Sequence, residues 1–81
     1  MRVHSHARSR MVERGATEAE VAAAIGEGEQ FPAKLGRQGF RRNFPFAGAW
    51  RGRLYRTKQV EVIAIYEADD WLVLSVIVKY F

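Results

Sequence analysis

The chain has 81 residues, a net charge of +4 and no cysteine. That length suits one domain, residues 1–81, with a single modest core, and the missing cysteines exclude disulfide and thiolate chemistry. The opening MRVHSHARSR has no apolar segment of the secretory kind, and no apolar run approaches the ~20 residues that cross a bilayer, so a cytoplasmic protein without membrane contact is expected.

The first predicted element is a helix within HSHARSRMVERG, His4–Gly15. Ser5 is its expected N-cap, and Gly15 suits the position just past the last turn, where φ is positive. Ala7 and Met11, four apart, make a narrow packing stripe. His6, Arg10 and Arg14 follow at i, i+4 and i+8 and form a second stripe along the margin of that contact. A second helix starts at Thr17 and Glu20, the pattern of a capping box. Val21, Ala24 and Ile25 form its buried face, and Gly26 and Gly28 end it.

FPAKLGRQG is expected to be a connection. FRRNFPF then alternates Phe40, Arg42, Phe44 and Phe46 on one side against Arg41 and Asn43 on the other. Pro45 has no N–H to donate, which puts this strand at an edge or ends it. A short strand is expected around Arg53–Thr57. QVEVIAIYE and WLVLSVIVKYF are rich in β-branched and aromatic residues and predict two further strands, joined by a hairpin turn at EADD. Both faces of WLVLSVIV are apolar, which points to a central strand covered on both sides or to a contact in a homodimer. The predicted fold is α+β: two N-terminal helices on one face of a three- to four-stranded, mostly antiparallel sheet.

Charge is distributed unevenly. No Asp or Glu occurs from Phe31 to Val60, and the eight Lys and Arg in that span give it a local charge of +8. Such a field attracts RNA or another polyanion, and an acidic protein equally. Aromatics are interleaved with the cations at Phe40-Arg41-Arg42, Trp50-Arg51 and Tyr55-Arg56, the mix that stacks bases and holds phosphates. Arg37, Arg41, Arg42, Arg51, Arg53 and Arg56 are therefore the candidate nucleic-acid contacts. A solvated sheet face would show the same alternation.

In the first helix, His6 titrates near neutral pH and Arg10 and Arg14 can hold a phosphate bidentately. A histidine with two arginines is enough for metal-independent cleavage of an RNA backbone. The same residues equally suit ion pairs with Glu13 or Glu18. In the last strand Lys79 and Tyr80 fall on opposite faces. The Tyr80 hydroxyl can act as an acid, hold a phosphate, or be the wet tip of a buried ring. His4-x-His6 lacks the further ligands of a metal site, and neither a Gly-rich phosphate loop nor a nucleophile elbow is present, so no metal or cofactor is expected.

HAxxRMxERG at His6–Gly15, TEAEVAAAI at Thr17–Ile25, GR at Gly36–Arg37, KQVEVIAI at Lys58–Ile65 and VIVKYF at Val76–Phe81 together resemble a widespread bacterial domain of unknown function. Its members open with a His-Ala-x-x-Arg-Met-x-x-Arg-Gly helix and close on a β-meander. That family has been compared with the fold of the RelE and ParE toxins, barnase and the colicin nucleases. The resemblance implies a RelE-like fold, a toxin-like endoribonuclease activity and an acidic antitoxin-like partner. Carried over by position, it implies His6 as general acid or base, Arg10, Arg14 and Lys58 as phosphate-holding cations, and Tyr80 as proton donor.

Overall fold

Two ten-residue helices lie on one face of a five-stranded sheet. The computed structural model describes every residue, Met1–Phe81. In chain order the elements are β1 (Arg2–Val3), α1 (Ser5–Arg14), α2 (Glu18–Glu27), β2 (Glu29–Pro32), a 3-10 turn (Lys34–Gly36), β3 (Gln38–Trp50), β4 (Arg53–Glu67) and β5 (Asp70–Tyr80). The sheet order is β1-β5-β4-β3-β2, antiparallel throughout except for the parallel β1–β5 pair. The α+β architecture is as expected. The strand count of three to four is corrected to five by two short strands. β1 pairs only at Leu72 and Val73, and β2 ends at Pro32 inside the expected connection.

α1 begins one residue earlier in its capping than expected. The cap is His4, not Ser5: the His4 Nδ1 accepts the His6 backbone N–H at 3.1 Å. The His4 N–H donates to the Val73 carbonyl at 2.9 Å, which holds His4 extended on β5 and starts the helix at Ser5. α2 carries the predicted box, with the Glu20 N–H donating to Thr17 Oγ1 at 3.1 Å and the Thr17 N–H to Glu20 Oε1 at 2.9 Å. It runs through Gly26 and closes at Gly28, whose N–H donates to the Ala24 carbonyl.

The core lies between helices and sheet. Ala7 and Met11 of α1 and Val21 and Ala24 of α2 meet Phe40, Val60, Val62, Ala64, Val73 and Val76. In β5 the buried set changes phase. Ile63 pairs with Ser75 but Ala64 pairs with Val73, so one extra residue bulges between them. Val73 and Val76 are therefore both buried although three apart. This phase change accounts for much of the two-faced apolar pattern of WLVLSVIV. β5 is not a central strand covered on both sides: only its start is flanked by β1, and beyond Val73 no strand pairs with its outer edge.

The segment around Arg53–Thr57 and QVEVIAIYE form one strand, β4. β2 pairs with β3 only from Gln38 to Arg41, so Pro45 sits where β3 has a neighbour on one side alone. β3 nevertheless continues. A register shift between Pro45 and Gly48 places two residues opposite one, and the β3–β4 pair then extends as a two-stranded arm to a turn at Trp50–Arg53. Arg51 and Gly52 take positive φ there, 49° and 81°, the geometry of a tight hairpin turn. The opposite end of β4 closes on an acidic turn in which Ala68 and Asp69 have positive φ. No helix is long and apolar enough to cross a membrane.

Candidate nucleic-acid interface

The C-terminal end of α1 is where the sheet reaches up to the helices. The last carbonyls of a helix have no partner inside it and carry the negative end of its dipole. Three side chains of the sheet and its hairpin turn meet them here. Arg51 Nη2 donates to the Glu13 carbonyl at 3.2 Å, Tyr80 Oη donates to the Arg14 carbonyl at 2.8 Å, and Lys58 Nζ donates to the Gly15 carbonyl. Lys58 Nζ also donates to Glu20 Oε1 at 2.8 Å. Burial by itself raises the Glu20 carboxyl, but the hydrogen bonds from Lys58 and Thr17 and the Lys58 charge outweigh it. The carboxyl therefore lies below its ordinary 4.5. Burial pushes the Tyr80 phenol above its ordinary 10.0; the Glu20 charge adds to this and Arg51 opposes it.

Tyr80 is the hub of an aromatic cluster. Trp50 stacks on it at 4.9 Å between centroids, Phe46 meets it edge-on at 5.1 Å, and Tyr55 lies tilted at 5.7 Å. The arm is thus folded back against the end of α1. Arg14, Trp50, Arg51, Val78 and Tyr80 line a cleft of about 180 Å³ on this side. In it Arg14 Nη1 donates to the Val76 carbonyl at 2.7 Å, on the unpaired edge of β5.

The six arginines predicted to touch nucleic acid divide by partner. Arg41 pairs with Glu29 at 3.2 Å and Glu61 at 3.7 Å, and Arg42 pairs with Glu27. These two are neutralised within the fold. Arg37, Arg51, Arg53 and Arg56 are exposed and form no ion pair. Arg51 lies over the Trp50 ring at 5.3 Å and Arg53 over Tyr55 at 6.0 Å. Arg37 sits alone after the 3-10 turn, whereas Arg51, Arg53 and Arg56 share the arm.

The residues implied by the family resemblance divide as well. Arg14, Lys58 and Tyr80 come together at the end of α1. His6 and Arg10 do not join them. Arg10 pairs with Glu13 at 3.0 Å, and His6 is exposed, its ring without a hydrogen bond, eight residues or ~12 Å up the helix from Arg14. Lys58 and Tyr80 have donors committed to helix carbonyls. Trp50 and Glu20 complete the cluster; spacing showed Glu20 as part of a helix cap and Trp50 as a neighbour of Arg51, but not their contacts with Lys58 and Tyr80, which lie far away in sequence. No three His, Asp or Glu side chains converge as metal ligands would.

Comparison of the chain with known protein families, with curated proteins and with solved structures finds no significant match. The layout itself, two N-terminal helices packed on a five-stranded, mostly antiparallel sheet, is RelE-like.

Proposed function

We propose that this protein binds single-stranded RNA through the β3–β4 arm and is a member of the bacterial domain family that its opening helix motif resembles. One observation carries the binding: Arg51, Arg53 and Arg56 are exposed on one arm with no carboxylate paired to them, beside Trp50 and Tyr55. Cations left unneutralised by the fold are available to phosphates, and aromatic faces beside them take unstacked bases.

Metal-independent RNA cleavage is the second function we consider, and the cleft beside Tyr80 favours it. Arg14 and Arg51 flank that cleft as guanidinium groups for a phosphate, whereas the Tyr80 hydroxyl, the acid that the family resemblance offers, already donates its proton to the hydrogen bond with the Arg14 carbonyl. A base for the 2′-OH proton is not among the residues lining it. His6, which the family resemblance offers for that role, faces solvent two turns away. RNA binding therefore takes precedence over cleavage.

Both are tested with a fluorescent single-stranded RNA at about 50 mM salt. Combined Arg51→Ala, Arg53→Ala and Arg56→Ala substitutions are expected to weaken binding by about tenfold or more, the equivalent of about 1.4 kcal/mol, while His6→Ala leaves it unchanged. Equal binding by the triple variant and the wild type refutes the proposed interface. The same mixtures run on a denaturing gel test cleavage; intact RNA after long incubation with the wild type removes the nuclease activity and leaves binding standing.

A further inference from the structure

A second, larger depression lies at the foot of the arm. Asn43, Phe44, Pro45, Arg56, Thr57 and Phe81 border it, and it is a shallow, open hollow of about 450 Å³. We infer that this depression seats one unstacked base of the RNA strand whose phosphates the arm holds. The inference rests on the RNA-binding function proposed above and adds a base-binding subsite to it.

The lining has the chemistry of such a site. Pro45 and Phe81 supply apolar walls, and Phe81 is 57% exposed, an aromatic side chain left open to solvent. Asn43 is held in place because its Oδ1 accepts from Gln59 Nε2 at 3.0 Å, and its own amide N–H groups make no hydrogen bond within the protein. The Thr57 hydroxyl makes none either, and the Arg56 guanidinium has no carboxylate. Apolar walls with a few unengaged donors and one free cation suit a planar, acceptor-bearing base attached to a phosphate.

The position of the depression relative to the Tyr80 cleft gives the strand a path. Lys58 pairs with Phe44 and with Tyr80, on the helix side of the sheet; Thr57 pairs with Pro45 and exchanges hydrogen bonds with Phe81. Successive residues of a strand face opposite ways, so Pro45, Thr57 and Phe81 lie on the far side from Tyr80. The two hollows are therefore back to back across the end of β5, one lined by Arg14 and Arg51 and the other by Arg56. A single strand rounding that end meets cations on both faces and an open aromatic-lined hollow on one.

The test compares wild type with an Asn43→Ala, Phe81→Ala double variant. Both substituted residues are exposed, and circular dichroism establishes that the variant keeps its fold. Two labelled probes of equal length and charge are titrated: oligouridylate and its abasic analogue. The wild type is expected to prefer oligouridylate by about tenfold, within the range of base stacking on protein aromatics, and the double variant to bind both probes as weakly as the wild type binds the abasic one. Arg51→Ala is expected to weaken both probes by one common factor. A base preference that survives in the double variant overturns the subsite, since the base then stacks elsewhere, on Trp50 or Tyr55. Equal wild-type affinity for the two probes overturns the subsite but leaves the arm's phosphate binding intact. Failure of the wild type to bind either probe overturns both.

Discussion

Lys58 is the only charged side chain buried in the fold. A cation in that position is retained because each donor it turns inward finds an oxygen, the Gly15 carbonyl and Glu20 Oε1. Lys58→Met removes the cation but keeps much of the stem's volume, leaving the Gly15 carbonyl without a partner and Glu20 Oε1 with the Thr17 N–H alone. It is expected to lower stability at pH 7 by about 2 kcal/mol in urea denaturation. The pH dependence follows from the lowered Glu20 carboxyl. Its contribution is fully present above the unfolded value of 4.5 and is lost as pH falls through the folded value. Wild-type stability should therefore decline below about pH 4.5 partly through Glu20, and Lys58→Met should shrink that decline. An undiminished acid limb in the variant means that Lys58 does not hold Glu20 ionised. At this scale the sequence showed Thr17 and Glu20 as a cap but not Lys58 beside them. A cap is local, three residues long, whereas the Lys58 contact spans 38 residues and leaves no spacing to recognise.

Among the elements, the junction of α1 with the β3–β4 arm depends on Gly15. Its φ is +77°, and a Cβ there would lie 2.7 Å from Trp50 Cζ3 and 2.8 Å from Tyr80 Oη. Backbone conformation and close approach both call for glycine. Gly15→Ala is expected to cost about 2 kcal/mol or more and to unseat Trp50 from Tyr80. In a Trp71→Phe background, where Trp50 is the sole tryptophan, its emission should shift to the red in the Gly15→Ala variant; an unchanged spectrum would show that the stack does not need the glycine. Elements with their own periodicity were readable in the sequence: α2, the alternation of β3, and the residues of β4 and β5. β1 and β2 were not, because two residues beside β5 and a Glu-Gln-Phe-Pro segment carry no pattern of their own and become strands only by pairing. The bulge in β5 was hidden for a related reason. It shifts the period by one residue and so imitates a strand apolar on both faces.

At the scale of the whole molecule, the extents are 40 × 24 × 21 Å, and β4 joins a turn bearing Arg51 and Arg53 to one bearing Glu67, Asp69 and Asp70. If the arm's three free arginines each displace one counterion from a single strand, the logarithm of affinity should fall with the logarithm of salt concentration with a slope of about −2, and Arg51→Ala should reduce its magnitude by about 0.7. A flat dependence would rule out phosphate contacts as the source of affinity. The separation of charge reaches beyond equilibrium. A polyanion meets unpaired arginines on the arm, whereas Glu67 and Asp70 at the other end of β4 are paired with Arg2 and the N-terminal ammonium, and the field of the arm turns it forward before contact. Added salt should accordingly slow capture far more than it hastens release, so that ionic strength governs how often the protein lands on RNA and the aromatic contacts govern how long it stays.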